Sequence, residues 1–452
     1  MSLPTRPPVD QRLLEYHFPP VSRAVLPNGL TVMVIERPHL PRVTFRLGIP
    51  FGTKHDPRDH CGSVELLARL LKKGTRDRSY AEIAEAVDFV GGFLDAGASE
   101  DGFFFTGVFL SPHLDLGMRI LSEMILHPAL DGDEMGKEVA RMRADLENER
   151  SVPGVIAHHR LERLLFSPHP YGNARTPASL GRITPELLRT LHGDGIAPDG
   201  AVLALCGDID MERALALAGE TLGGWAGSQA HGSAPAQRPR PRSRVCLIDR
   251  PGSEQVSILF GNPVFARNHP DYEAAMVANK ILGGGASGRL FMNLREARGL
   301  TYGAYSALNL LQDGGAWITS AEVRSDAVAE AIEAIRAEYR ALAETPPDAA
   351  ELASAIRYLV GVFPLRNETA SAVAGLALRQ QLHGLPEDYW DNHLAAIGRV
   401  DAETVSAVAR RYLSLEETVM VIVGEAERIR PQLPGGGALE VRTVEEVAGV
   451  CP

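Results

Sequence analysis

The same phrase closes both halves of the chain, and that repetition constrains the fold more than any other feature. Ala201-Val202-Leu203-Ala204-Leu205-Cys206-Gly207-Asp208 is an apolar strand pattern capped by glycine and an acid, and Thr418-Val419-Met420-Val421-Ile422-Val423-Gly424-Glu425 repeats it. Each follows a helical pattern, at residues 187–192 and 405–413. Each half also opens a helix, at 62–73 and Tyr272–Leu282, on a strand-and-loop approach. Self-similarity of this kind points to an internal duplication. Between the halves, residues 227–242 hold Pro, Gly, Ala and Arg without apolar periodicity, the composition of a linker that would permit hinge motion. With 452 residues the chain is too long for one compact core. The expected domains are therefore 1–226 and 245–452, joined by a linker at 227–244.

The first half sets the fold class. After the turn signal Asn28-Gly29, residues 30–35 and 43–49 are β-rich, and Phe103-Phe104-Phe105-Thr106-Gly107-Val108-Phe109 reads as a third strand. Leu114–Leu126 and residues 133–148 then show apolar residues at three- and four-residue spacing. Strands followed by runs of helices predict an α+β protein, with helices covering one face of a mixed, mostly antiparallel sheet.

Composition excludes several function classes. A net charge of -11 with no Lys/Arg-rich run argues against a general nucleic-acid binder. Cys61, Cys206, Cys246 and Cys451 form no Cys-x-x-Cys pair and no disulfide framework. No stretch is long and apolar enough to span a bilayer. The N-terminus lacks an apolar signal core, so a cytoplasmic protein is the default, or a periplasmic one if a signal peptide was removed. No Gly-x-Ser-x-Gly elbow supports a serine hydrolase.

Three motifs carry the chemistry. In Gly62-Ser63-Val64-Glu65-Leu66-Leu67-Ala68-Arg69-Leu70-Leu71-Lys72-Lys73-Gly74-Thr75, Val64, Leu67 and Leu71 face a core, while Glu65, Ala68 and Arg69 read as helix surface. Glu65 and Arg69 stand four apart, the spacing of an ion pair worth about 0.3–0.5 kcal/mol. The chain contains no His-x-x-x-His, the one-turn spacing that puts two ligands on one helix face. In Ile281-Leu282-Gly283-Gly284-Gly285-Ala286-Ser287-Gly288-Arg289, three glycines precede a helix without the phosphate-cradle pattern. They alone read as a helix terminus that glycine dihedrals allow. Arg298-Gly299-Leu300-Thr301-Tyr302 alone reads as a surface Arg and a half-buried Tyr at a strand start. His158-His159-Arg160, after Pro153, is expected on a helix exterior.

In order and spacing these motifs resemble the insulinase/pitrilysin zinc metallopeptidases. The resemblance also takes in Leu26-Pro27-Asn28-Gly29-Leu30, residues 48–52, Gly91-Gly92 and His169-Pro170-Tyr171-Gly172. It ends in Leu294-Arg295-Glu296-Ala297-Arg298-Gly299-Leu300-Thr301-Tyr302. The family's zinc helix reads roughly Gly-x-x-His-x-x-Glu-His-x-x-x-Lys-Gly-Thr. Here Glu65 and Arg69 replace the two histidines and Ala68 replaces the general base. Imidazoles one turn apart hold zinc; a guanidinium carries only donors. Glu138, some seventy residues downstream, is the candidate remnant of the family's third ligand, and alone is only a carboxylate on a helix.

The resemblance implies two homologous halves enclosing a chamber: an N-terminal peptidase-like domain with a degenerate zinc helix, and a C-terminal one carrying an Arg/Tyr pair. It implies that Arg298 and Tyr302 face a zinc site in trans, where a phenol hydroxyl on a developing oxyanion is worth about 3–4 kcal/mol and Arg grips substrate carbonyls. It assigns Gly283, Gly284 and Gly285 to substrate contact. The expected function is the non-catalytic, substrate-binding subunit of a heterodimeric zinc metalloendopeptidase. Such a subunit holds no metal and does not hydrolyse peptides alone; its homologous partner carries the zinc. Its ligands are peptides bound as an added β-strand, not nucleic acid or membrane. The alternative is an inactive structural, assembly or peptide-binding homologue.

Overall fold

The computed structural model describes residues 16–227, 244–433 and 438–448. Most of the expected linker, 228–243, therefore lies outside the described residues. Among these residues twelve strands form two six-stranded sheets. The first holds β1 (Ser22–Val25), β2 (Thr31–Glu36), β3 (Arg42–Ile49), β4 (Phe93–Ala98), β5 (Phe103–Leu110) and β6 (Val202–Gly207), in the order β1-β2-β6-β3-β5-β4. The second holds β7 (Arg244–Asp249), β8 (Gln255–Val264), β9 (Thr301–Leu311), β10 (Gly314–Arg324), β11 (Val419–Gly424) and β12 (Ala438–Thr443), in the order β12-β7-β11-β8-β10-β9.

Five strands correspond one to one. β2 runs parallel to β6, and β6, β3, β5 and β4 then alternate antiparallel. β7 runs parallel to β11, and β11, β8, β10 and β9 alternate likewise. The outer strand differs: β1 adds antiparallel through the Asn28-Gly29 turn, whereas β12 adds parallel from the other end of the chain. In each half a helix follows the strand that stands fourth in its sheet, Ser63–Leu71 after β3 and Tyr272–Leu282 after β8. Each also carries an 18-residue helix, Gly132–Glu149 or Ala349–Arg366, followed by a shorter one, Pro153–Phe166 or Ala370–Leu382.

The shorter helices correct the expectation that helices cover one face only. Every residue of β6 and of β11 is buried, the pattern of strands covered on both sides. Leu203 and Leu205 point into the first half's own core, but Val202, Ala204 and Cys206 pack on Val373, Ala374, Ala377 and Leu378 of the Ala370–Leu382 helix. In return Ile156, Leu161 and Leu165 of the Pro153–Phe166 helix pack on Val419, Val421 and Val423. Each half thus lends a helix to the other's sheet. Glycine makes room at matching places. A Cβ on Gly48, opposite Val202, would stand 2.9 Å from the Leu378 and Leu382 side chains; one on Gly261, opposite Val419, would stand 2.7 and 2.8 Å from Leu161 and Leu165.

The exchange also moves Arg160. It is not exterior: it is half-buried against the second sheet, donating to Glu440 at 2.8 Å and to the Cys246 sulfur at 3.5 Å.

A polar pin joins the halves where the β4–β5 and β9–β10 turns meet. The Lys54 ammonium lies 2.9 Å from Asp101, 3.0 Å from the Gln312 side-chain oxygen and 3.1 Å from Asp313. The Tyr171 hydroxyl donates to Asp101 and accepts from the Asp313 N–H at 3.1 Å. His169-Pro170-Tyr171-Gly172 therefore has a structural task.

Candidate functional site

The Ser63–Leu71 helix starts at Gly62, with φ of +96°, and Asp56 caps it. One carboxylate oxygen accepts the Gly62 N–H at 2.7 Å, and the other accepts the Val64 N–H and the Ser63 hydroxyl, both at 2.8 Å. Burial pushes Asp56 up to about 6 against the pull of these bonds. The apolar face, Val64, Leu66, Leu67, Leu70 and Leu71, is fully packed. This anchored helix presents Glu65, Ala68 and Arg69 to a cavity of about 730 Å³ whose far wall is the edge strand β4.

These three residues are not plain helix surface. Ala68 is buried, and its methyl forms part of the cavity floor. Arg69 donates to Glu65 at 2.9 Å, the expected i,i+4 pair, and to Asp145 at 3.0 Å. Glu65 also accepts from Arg175, whose other nitrogen reaches Glu149 at 2.6 Å. Glu138 is buried beside them, 3.9 Å from Arg69, 3.1 Å from Lys73 and 2.6 Å from Arg141. Glu65, Ala68, Arg69 and Glu138 thus lie at one site, lining one cavity. Asp145, Glu149 and Arg175 were missed there. The signal was the spacing of Glu138, Asp145 and Glu149, which puts three acids on one face of the Gly132–Glu149 helix.

This donor set does not fit zinc. Zinc needs unprotonated nitrogen, sulfur or oxygen ligands at about 2.0–2.3 Å. Here both carboxylates are engaged by cations, and Arg69 fills the space between them. Among the described residues no cluster of three or more His, Cys, Asp or Glu side chains could hold a metal ion.

In the second half, Tyr302 projects from the start of edge strand β9 and is 83% exposed. Its hydroxyl bonds to no group among the described residues. It lines a cavity of about 930 Å³ with Tyr305, Ser257 and Glu322. Arg298 ends the turn before β9, where Gly299 takes a φ of +62°. Its guanidinium donates to Asn293 at 2.7 Å and to Glu330 at 3.0 Å. Of the pair, only Tyr302 lines that cavity. Gly283, Gly284 and Gly285 form the wall of another cavity beside β9. Gly283 is no loose terminus: its carbonyl accepts the Ser306 N–H at 3.0 Å, and a Cβ there would stand 2.6 Å from that nitrogen.

Known proteins resemble the chain in both halves. The family described as "Insulinase (Peptidase family M16)" matches residues 31–176, and "Peptidase M16 inactive domain" matches 182–359. The first match contains the Glu65/Ala68/Arg69 helix and the second contains Arg298 and Tyr302. An uncharacterized zinc protease of Streptomyces coelicolor is 27% identical over 90% of this chain and 90% of its own. One from Bacillus subtilis is 23% identical over 89% and 98%. A crystal structure titled as a peptidase M16 inactive domain, from Pseudomonas fluorescens, superposes with a TM-score of 0.84 at 25% identity, covering 90% of this chain and 98% of that one. A Helicobacter pylori protease shares the fold at 19% identity, also with a TM-score of 0.84, over 90% and 99%.

Proposed function

Because the chain belongs to the insulinase, or M16, peptidase family, we propose that it is the non-catalytic, substrate-binding subunit of a heterodimeric zinc metalloendopeptidase. One observation carries the reading. The positions that hold zinc and its base in active members are occupied by Glu65, Ala68 and Arg69, tied into ion pairs, while Tyr302 stands exposed with its hydroxyl unengaged. The shared order of five strands supports an origin by duplication. It also supports the division into units 1–226 and 245–452 joined by 227–244.

In this reading a homologous partner supplies the zinc, and the second half of this chain faces it across a chamber. Tyr302 donates to the oxyanion of the peptide under attack. Arg298 leaves Glu330 to hold a substrate carbonyl, and residues 283–285 border the peptide's path along β9. An edge strand offers unpaired backbone groups, so a peptide can add to it with little regard for sequence. No helix among the described residues is long and apolar enough to cross a membrane.

The test is purification of the chain from its own cells with whatever it binds. A stoichiometric homologue, bound zinc and chelator-sensitive peptide cleavage are expected. Tyr302→Phe should then lower kcat about 10²–10³-fold, and Arg298→Ala should mainly raise KM. A zinc-free homodimer without activity would sink the proposal and favour an assembly or peptide-sequestering role.

A further inference from the structure

The correspondence between the Ser63–Leu71 and Tyr272–Leu282 helices extends to the space beside each. In the second half that space is a cavity of about 600 Å³ between the Tyr272–Leu282 helix, β9 and the Ala349–Arg366 helix. Arg267, Lys280, Arg366 and Arg379 line it, and no Asp or Glu does.

Among the described residues these cations are paired with no acid. Lys280 is only 8% exposed, yet its ammonium is bonded to the Gly284 carbonyl at 3.1 Å and lies 3.6 Å over the Tyr358 ring. The Arg267 guanidinium stacks 3.5 Å over Tyr272, and its buried Nη1 has no partner among the described residues. Its Nη2 donates to Tyr389 at 3.0 Å, so Glu273, which accepts from Tyr389 and lies 3.0 Å from His393, reaches Arg267 only through that hydroxyl. Arg366 and Arg379 form no hydrogen bond or ion pair among the described residues. Burial and then Arg366 push Lys280 down; burial, with Arg267 and Arg46 nearby, pushes Arg379 down against an upward pull from Tyr272. His383 is held neutral, pushed down to about 4 by burial and by Arg267, and its buried Nδ1 is also without a partner.

A group of partly desolvated like charges is costly unless something of opposite sign completes it. A cavity lined this way, with two orphaned buried nitrogens, has the character of a ligand site. We infer that this cavity binds a ligand carrying two or more anionic groups, carboxylate or phosphate, with the four cations as its receptors. Leu308, Leu310 and Leu359 on the remaining wall suit an organic body behind those charges. The cavity shares residues 283–285 with the peptide path proposed above, but the inference rests on its cations and stands whether or not Arg298 and Tyr302 serve a partner's zinc.

Titration calorimetry on the full chain tests it, with inorganic tripolyphosphate and hexaglutamate as separate probes. Binding of at least one probe is expected, weakening as salt rises. Tripolyphosphate alone would identify a phosphate ligand, and hexaglutamate alone an acidic peptide; binding of both would mean that charge density suffices. The double variant Arg366→Gln/Arg379→Gln removes two exposed, unbonded cations and should fold normally. It should bind at least about tenfold more weakly, or about 1.4 kcal/mol, with Lys280→Met weaker still. Arg189→Gln, an exposed residue that does not line this cavity, should bind as the parent does. No binding of either probe, or undiminished binding by the double variant, would overturn the inference.

Discussion

Two cavities at matching places in the two halves have opposite electrostatic characters. Beside the Ser63–Leu71 helix, four acids (Glu65, Asp88, Asp95 and Glu138) and four bases (Arg69, Lys72, Lys73 and Arg141) line the space. Glu138 alone touches three of the bases. Beside the Tyr272–Leu282 helix the cations stand without acids. The first arrangement is nearly closed: every one of these charges except Asp88 is paired within the chain. The second is open, and its charges are answered only from outside. The half that carries Glu65, Ala68 and Arg69 is therefore largely self-sufficient in charge, and the other half holds the unanswered cations.

The comparison can be broken most forcefully at Glu138. Removing this buried carboxylate by Glu138→Gln leaves Lys73 and Arg141 facing each other, so a loss of about 3–5 kcal/mol is expected in urea unfolding. A loss below about 1 kcal/mol would mean that the first network is not closed after all. Next come the lent helices. Leu161→Ala and Leu378→Ala should each cost about 2–4 kcal/mol. Similar losses would support equivalence of the two exchanges, and a large disparity would argue that one dominates.

Asp56 gives a pH signature of the same order. Its carboxyl is raised from 3.8 to about 6 in the fold, so between those values the native state binds more protons than the unfolded chain. Stability contributed by the protonated form is complete below pH 3.8 and is lost as pH rises through about 6. The span of 6 − 3.8, or 2.2 pH units, corresponds to about 3 kcal/mol. Relative to Asp56→Asn, the parent should lose up to that amount between pH 4 and 6; parallel curves would refute it. The smallest effect is expected in the open cavity. Arg366→Gln/Arg379→Gln should change stability by no more than about 0.5 kcal/mol, or raise it, because no bond is lost. A clear destabilisation would reveal a counter-charge inside the chain.

Much of this was legible in the sequence. β2, β3 and β5 follow runs rich in branched and aromatic residues, and β6 and β11 follow the repeated closing phrase. The edge strand β4 was not read, because Phe-Leu-Asp-Ala-Gly-Ala has little β character of its own and takes it from pairing with β5. The helix exchange was hidden for a different reason. In Ala370–Leu382 apolar and small residues run nearly all the way round, so the pattern does not single out Val373, Ala374, Ala377 and Leu378 as the face that meets the other sheet. At the site, positions 65, 68, 69 and 138 were plain, yet the answering charges at 145 and 175 come from other elements that only folding brings near.

The lent helices change what a break in the backbone would mean. Each sheet draws part of its cover from the opposite half of the chain, so the segment at 228–243 is not what holds the molecule together. A cut there should leave two fragments that stay associated and still unfold as one, and neither should be stable when made by itself. Swinging the halves apart about that segment would strip Val202, Ala204, Val419 and Val421 of their cover. The chain is therefore expected to move as a single lobe.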